Sequence, residues 1–389
     1  MVNPVIVEAV RTPIGKRNGW LSAVKAPQLL AEAQFALLAR SGVAPADVDQ
    51  IIGGCVTQAG QQASNVTRNA WLSRGVDYTA AATTIDCQCG SSQQANNLMA
   101  GLIATGGARI GIACGVEQMS QVPLGTAAQG GGGYYKDETW PWSNEAGSQF
   151  EAAERIARLR DLGREDLELL GVASQANAAR AWAEGRYERE VVPVEAPVIA
   201  DGAPTGETMT VARDQGLRET SATSLAGLRP VLEGGSHTAG TSSQISDGAA
   251  AVLWMDEEVA RVNGVRPRAR IAYHTMVGVD PYYLLDGPVH ATQKMLDQTP
   301  FRIGDFDLFE CNEAFASVTL SWQQVHDVPF ERINVNGGAI ALGHPVGATG
   351  SRLITTALHE LERTDGELAL ITMCQGGSLG IATVLQRLA

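Results

Sequence analysis

The spacing of apolar positions changes period in a regular way along the chain. Val5 to Val10 is a short β-rich run that stops at Arg11-Thr12-Pro13. Gln28 to Arg40 is apolar at helical spacing, and Gly42 stands where a helix C-cap belongs. Asp49 to Val56 reads as a strand, Ser92 to Thr105 as a helix, and Arg109 to Cys114 as a buried strand. Strands alternating with helices predict an α/β fold with a largely parallel sheet.

The alternation is interrupted from about Gln121 to Thr241. That stretch opens with the glycine run Gly130 to Gly133 and becomes charged and helical from Phe150 to Glu188. It reads as an insertion that covers a site, because the α/β alternation resumes after Asp247. A weak internal repeat supports two halves. Asp47-Val48-Asp49-Gln50-Ile51-Ile52 resembles Asp305-Phe306-Asp307-Leu308-Phe309-Glu310. Cys89-Gly90-Ser91-Ser92 starts a helix that leads to a strand ending at Cys114-Gly115; Gly347-Ala348-Thr349-Gly350 starts one that leads to a strand ending at Cys374-Gln375. A duplicated α/β unit would place both sets of loops on one side, at the carboxyl ends of strands, where sites in parallel sheets sit.

Composition narrows the possibilities. A chain of 389 residues is too long for one small core. A net charge of -13 disfavours non-specific binding to nucleic acid or to an anionic membrane surface, so an anionic substrate would need a local basic pocket. Met1-Val2-Asn3-Pro4 does not begin a signal peptide, and no run approaches the length that spans a bilayer. Six scattered cysteines, at 55, 87, 89, 114, 311 and 374, suit a cytoplasmic enzyme with free thiols.

Four loops carry candidate chemistry. Cys89 stands at the start of a predicted helix, where backbone N–H groups and the helix dipole favour a thiolate and form an anion hole; Cys87 looks like a core residue. His344 lies in the glycine-dense run Asn336 to Gly350, and histidine is the natural base for a thiol. A phosphate-binding P-loop is excluded there, because Gly350 is followed by Ser351-Arg352 and not by Lys-Ser/Thr. Cys374 ends an apolar strand before Gln375-Gly376-Gly377-Ser378 and suits an acid/base whose pKa its surroundings tune. Asn312, in Glu310 to Ala316, opens another helix, where plain N-capping competes with a role in chemistry.

Taken together these loops resemble the thiolase family over nearly the whole chain. The resemblance includes Glu8 to Gly15, Gly115 to Ser120 and Ser246 to Ala251, and rests above all on Cys89-Gly90-Ser91, Asn312 to Phe315, Gly343-His344-Pro345 and Cys374-Gln375-Gly376. It implies a thiolase fold: two duplicated βαβ-type halves in an α-β-α-β-α layering, with an inserted loop domain. The halves would be residues 1–120, completed by 242–268, and 269–389, with 121–241 covering the coenzyme A site. It implies Cys89 as nucleophile, His344 as its base, Cys374 as second acid/base, Asn312 as holder of a water, and the N–H groups of Cys89 and Gly376 as an oxyanion hole. Ser243 would lie near the pantetheine of coenzyme A and Arg218 near its adenosine phosphates. Coenzyme A is then a co-substrate, with no permanent cofactor and no metal, and the partners are acyl-CoA substrates and other copies of the chain, as homodimer or homotetramer.

The similarity is greatest to actinobacterial thiolases that shorten steroid or fatty acyl side chains, through Asp86 to Gly90, Gln149 to Arg155 and Ala181 to Gly185. Short-chain members carry a His-Met pair before the Ala-Glu that is here Ala153-Glu154; its absence favours bulkier substrates. The competing expectations are biosynthetic acetoacetyl-CoA formation, a ketoacyl synthase-type condensing enzyme, against which Cys374 argues, and an inactive acyl-CoA binding protein. Two departures stand out: Ser92 in place of a common glycine, and Ser378 in place of the third glycine after Cys374.

Overall fold

The structure, a computed structural model, describes residues 2–129, 136, 138–200 and 203–388; the glycine run Gly130 to Gly133 lies outside the described residues. The first half holds β1 (Pro4–Arg11), β2 (Gly15–Lys16), α1 (Ala26–Ser41), β3 (Gln50–Gly54), α2 (Val66–Leu72), β4 (Ala81–Ile85), α3 (Ser91–Ala104) and β5 (Ile110–Gln118). The intervening segment holds α4 (Gln149–Leu159), α5 (Arg164–Ala183), β6 (Val194–Ala200), β7 (Ala203–Val211) and α6 (Ala222–Ala226). After it come β8 (Ser246–Asp256), α7 (Glu257–Val262), β9 (Ala269–Gly278), α8 (Gly287–Gln298), β10 (Leu308–Cys311), α9 (Ala316–His326), α10 (Ala339–Leu342), α11 (Thr349–Thr364), β11 (Leu368–Gln375) and β12 (Leu379–Arg387).

The main sheet runs β10-β11-β12-β9-β1-β8-β5-β3-β4. It is mixed, which corrects the expectation of a largely parallel sheet. Only β3–β4, β3–β5 and β10–β11 pair in parallel; β8 and β12 run against both neighbours. The reason is the last strand of each half, which returns antiparallel. In the second half it returns at once, from Gln375 to Leu379; in the first half the whole inserted segment intervenes between β5 and β8. Helix–strand alternation does not report the direction of that returning strand.

The duplication extends to atomic detail. The first half orders its strands β4-β3-β5-β8-β1, and the second β10-β11-β12-β9, with Ile333 bridging Phe309 in parallel where β4 sits in the first. Asp49 Oδ2 accepts from the N–H groups of Arg109 (2.7 Å) and Ile110 (3.0 Å). Asp307 Oδ2 accepts from Glu367 (2.7 Å) and Leu368 (3.0 Å) in the same way. Each aspartate of the repeated motif therefore anchors the start of the corresponding strand in its half, β5 or β11, and β11 carries Cys374.

Apolar faces set the layers. One core lies between α1, α2 and the outer face of the first half, another between α8, α9 and the second half. Between the two half-sheets lie α3 and α11, whose Ala95, Met99, Leu353, Ile354 and Leu358 pack against both. The layering is α-β-α-β-α, as the resemblance implies. The helices cross closely because Gly350 presents no Cβ to Gln93; one placed there would meet the Gln93 nitrogen at 2.1 Å. Ser92 Oγ accepts from Ser351 N at 2.9 Å, and Asn96 Nδ2 donates to Ser351 Oγ at 3.0 Å. Ser92 thus departs from glycine and closes part of the crossing.

Gly350→Ala should cost about 3 kcal/mol or more, since neither backbone yields without separating the helices. Gly101→Ala, at an exposed position of α3 with nothing within 4 Å, should stabilise by about 0.5–1 kcal/mol through helix propensity. Urea midpoints measure both; similar midpoints for the two variants would sink this account of the central crossing.

Candidate active site

The loop that presents Cys89 is held from several directions. Gln88 has φ of 52°, a left-handed conformation that costs a non-glycine residue energy and turns the chain sharply into α3. Gln375 Nε2 donates to Cys87 O at 2.5 Å across Gly90, where a Cβ would lie 2.2 Å from that same nitrogen. Cys89 is 5% exposed, and its own N–H and that of Gly376 hydrogen-bond its sulfur. These bonds favour the thiolate, but burial outweighs them and pushes the thiol up to about 11, with Glu117 and Asp86 adding to the effect. On this balance the resting group is a neutral thiol, with the helix-start N–H groups acting as expected but against burial.

His344 follows Gly343, whose φ of 112° is open to glycine and strained for other residues. Its Nδ1 lies 2.7 Å from Thr349 Oγ1, and that hydroxyl donates to Pro345 O at 3.0 Å. The hydroxyl therefore accepts from Nδ1–H, which assigns the tautomer and leaves Nε2 as an acceptor. Asn312 Nδ2 faces Nε2 at 3.3 Å. Burial, helped by the nearby Arg352 charge, lowers the imidazole to about 3, so it too is neutral at rest.

Asn312 is not a helix cap. α9 starts at Ala316, with Phe315 as its N-cap residue, and Asn312 is tied by its N–H to Thr372 O at 3.0 Å. Its buried Oδ1 has no hydrogen-bond partner among the described residues. Cys374, near the end of β11, is fully buried, and burial holds its thiol well above the ordinary value, with Cys89 and Cys311 adding to the effect. The turn after it uses Ser378 at φ of 56°, so the third-glycine position is left-handed and serine occupies it under strain.

Two buried carboxylates clamp the loops, and no role was assigned to them from sequence although both lie inside the quoted motifs. Glu117 accepts from the N–H groups of Val56 (2.9 Å), Thr57 (3.0 Å) and Gly347 (3.1 Å). Glu313 accepts from Ser174 Oγ (2.6 Å), Asn334 Nδ2 (2.8 Å) and Ile340 N (3.2 Å), tying α5 to the loop ahead of His344. A sequence signal existed: charged residues inside largely apolar, glycine-flanked motifs must find several donors once buried.

A cavity of about 560 Å³ opens beside Cys89, lined by Val56, Leu124, Ala127, Ala128, Gln149 and Val346 among others. Cys89 lines this cavity, with Gly376 and Cys374 near it, and Asn312 meets His344 at 3.3 Å. Arg218 is apart from them. It is exposed and lines a smaller cleft of about 150 Å³ with Gln175, Ser224, Leu225 and Ala239. Ser243 lies beside the Asn312 loop, where its N–H donates to Ala314 O at 2.9 Å.

The thiolase N-terminal domain matches residues 4–258 and the thiolase C-terminal domain residues 265–387. The chain is 41% identical over 396 residues to steroid 3-ketoacyl-CoA thiolase FadA6 of Mycobacterium tuberculosis, covering all of this chain and 95% of that one. It is 38% identical over 395 residues to the 3-ketoacyl-CoA thiolase of Aliivibrio fischeri, covering both in full. The crystal structure of the Bacillus anthracis acetyl-CoA acetyltransferase superposes with a TM-score of 0.90 at 33% identity, over 100% of this chain and 99% of that one. The chain belongs to the thiolase family, and is thereby an acyltransferase.

A buried neutral thiol and a buried neutral imidazole predict how the free enzyme meets an alkylating reagent. With Cys89 raised and His344 lowered, the thiolate fraction is small at pH 7 and grows as pH rises. Inactivation by iodoacetamide without substrate should therefore accelerate continuously from pH 6 to pH 10. A rate plateau already reached below pH 7 would mean a resting thiolate–imidazolium pair and defeat this reading.

Proposed function

We propose that this enzyme is a degradative thiolase that cleaves a 3-ketoacyl-CoA with free coenzyme A. Its products are acetyl-CoA and a shortened acyl-CoA. The observation that carries the chemistry is the pair of N–H groups on the Cys89 sulfur next to a second buried thiol. His344 Nε2 takes the Cys89 proton as the sulfur attacks the 3-keto carbon. The carbonyl oxygen becomes an alkoxide held by the N–H groups of Cys89 and Gly376. Collapse of the alkoxide breaks the Cα–Cβ bond and leaves the electron pair on the acetyl-CoA enolate. The enolate oxygen faces His344 and a water held by Asn312, while Cys374 protonates the enolate carbon. The Cys374 thiolate then takes the proton of incoming coenzyme A. That sulfur attacks the acyl-enzyme, and the released Cys89 thiolate recovers its proton from His344.

Coenzyme A enters as co-substrate, with Ser243 near its pantetheine and Arg218 near its phosphates; no metal or resident cofactor takes part. The degradative direction is supported by relatives named 3-ketoacyl-CoA thiolase at 38% identity and steroid 3-ketoacyl-CoA thiolase at 41%. A bulky fatty acyl or steroid side chain is supported by the cavity at Cys89, where Ala127 and Ala128 present little bulk, and by the missing His-Met pair. The same reading divides the chain into halves 1–120 with 242–268 and 269–389, and a cover of 121–241. It makes the protein a cytoplasmic homodimer or homotetramer; among the described residues no helix is long and apolar enough to cross a membrane.

Mass spectrometry after mixing with a 3-ketoacyl-CoA should find the acyl group on Cys89, and Cys89→Ala should lower kcat by about 10⁴-fold or more. An adduct on Cys374 or Cys87 would reverse the roles. In initial-rate comparisons kcat/KM should be larger for long-chain or steroid 3-ketoacyl-CoA than for acetoacetyl-CoA; the opposite order for every longer substrate would end the bulky-substrate proposal.

A further inference from the structure

Five of the chain's 29 lysines and arginines line one cavity of about 490 Å³ that plays no part in the chemistry above. Arg40 comes from the end of α1, Arg189 from the segment after α5, Arg266 and Arg268 from the approach to β9, and Arg387 from the end of β12. The acidic lining residues are Glu8 and Glu362. Arg387 also pairs with Asp365 at 2.6 Å, so five arginines against three carboxylates leave an excess of two positive charges, in a chain whose net charge is -13. The C-termini of α1 and α11 point here and carry about half a negative charge each, which offsets about one of the two. Glu362 is near the last turn of α11 and the His344 loop precedes its first, so this 16-residue helix puts roughly 24 Å between cavity and catalytic loops at 1.5 Å per residue.

The cavity has a built floor. Arg268, 7% exposed, donates to Glu362 from Nε (2.8 Å) and Nη2 (2.9 Å), to Glu8, and to His359 Nδ1 at 3.2 Å. His359 Nε2 faces Ala9 O at 3.1 Å, so it carries the ring proton and the imidazole adds no charge. Glu362 also pairs with Arg189 at 2.9 Å, so the two glutamates are held from within, while Arg40 and Arg266 make no ion pair among the described residues. Arg40 donates only to the carbonyls of Arg189 (2.5 Å) and Val191 (3.3 Å), which are neutral. Arg266 is exposed and makes no ion pair among the described residues. Arginines that served only to cap helices and neutralise carboxylates would not leave these two uncompensated.

We propose that this cavity binds a small organic polyphosphate, at a site separate from the cleft that Arg218 lines. Guanidinium forks match phosphate oxygens in pairs, and several around one cavity suit a chain of phosphates better than a single carboxylate. The volume is that of a nucleotide-sized ligand, and Val7 and Val265 give its organic part an apolar wall.

ATP is the probe, titrated calorimetrically into the full chain, with inorganic tripolyphosphate as the second ligand. One saturable ATP site is expected, tighter than that for tripolyphosphate. It should weaken by about tenfold or more in the double variant Arg40→Gln, Arg266→Glu, which removes two charge-assisted contacts, and persist in Arg218→Ala. Thiolysis by the double variant without ATP should match the parent enzyme, which shows that its fold and active site are intact. Absence of saturable binding overturns the proposal. So does binding that is lost in Arg218→Ala and kept in the double variant, which would locate ATP in the cleft assigned to coenzyme A. Tripolyphosphate binding as tightly as ATP overturns the organic part of the assignment.

Discussion

The crossing of α3 and α11 at the centre of the molecule is the constraint on which the site depends. Cys89 stands two residues before α3, and His344 five residues before α11. The relative position of Cys89 and His344 is therefore set by how closely two helix starts approach. That approach is backbone-close because Gly350 meets Gln93 without a Cβ, and because Gly115 leaves room for Gly347 O, 2.1 Å from where a side chain would begin. Hydrogen bonds from Ser92 and Asn96 then fix the register of one helix on the other. Both helices lie between the two halves of the main sheet, so neither can shift without disturbing two apolar interfaces. A site assembled from loops inherits its precision from the rigid layer beneath them.

Burial governs the electrostatics of that site. A thiol at a helix start is commonly read as activated, and the N–H groups on Cys89 do act in that direction. Desolvation is larger, however, for both Cys89 and Cys374, and it keeps His344 neutral as well. A low-polarity pocket with no resting ion pair has its donors arranged for charge that appears only during reaction. The N–H groups of Cys89 and Gly376 are worth more to a developing alkoxide in such surroundings than to a standing thiolate in water. Glu117 and Glu313 extend the principle. Each is buried and saturated by donors from separate loops, so each acts as a cross-link and not as a reactive group.

Much of this was legible in the sequence because the relevant signals are local. The helix over Gln28 to Arg40, its Gly42 cap at φ of 74°, and the strand through Cys114 follow from spacing and residue type. The catalytic loops stood out because glycines, a cysteine or histidine, and a strand end coincide. The direction of β8 and β12 was not legible, since a returning strand has the same alternation either way. The protonation state of Cys89 was hidden as well: the helix-start argument sees the N–H groups, whereas the burial that outweighs them arises only when the rest of the fold closes over the loop. The single helical stretch expected from Phe150 to Glu188 is two helices, broken between Leu159 and Arg164 at a turn where Asp161 has φ of 51°.

The cover must dock in one orientation, because Gln149 lies over the Gly376 turn and Phe150 packs on Phe315 with ring centroids 4.9 Å apart. An apolar seam alone tolerates sliding. What registers the cover is an ionic lock at the end of β1. Arg11, fully buried, donates to Glu190 at 2.5 Å and to both oxygens of Asp214 at 2.7 and 2.9 Å, with its guanidinium 4.9 Å from the Tyr187 ring centre. Asp214 also accepts from Ile14 N at 2.8 Å, so cover and core share one carboxylate. Buried ion pairs contribute little net stability, because desolvation consumes most of the attraction, but breaking one costs about 3–5 kcal/mol. That asymmetry makes the lock an orienting device: a misplaced cover would leave Arg11 buried and unpaired, a state far costlier than a slipped apolar contact. The inserted segment is thereby held in the pose in which Leu124, Ala127, Ala128 and Gln149 wall the cavity at Cys89.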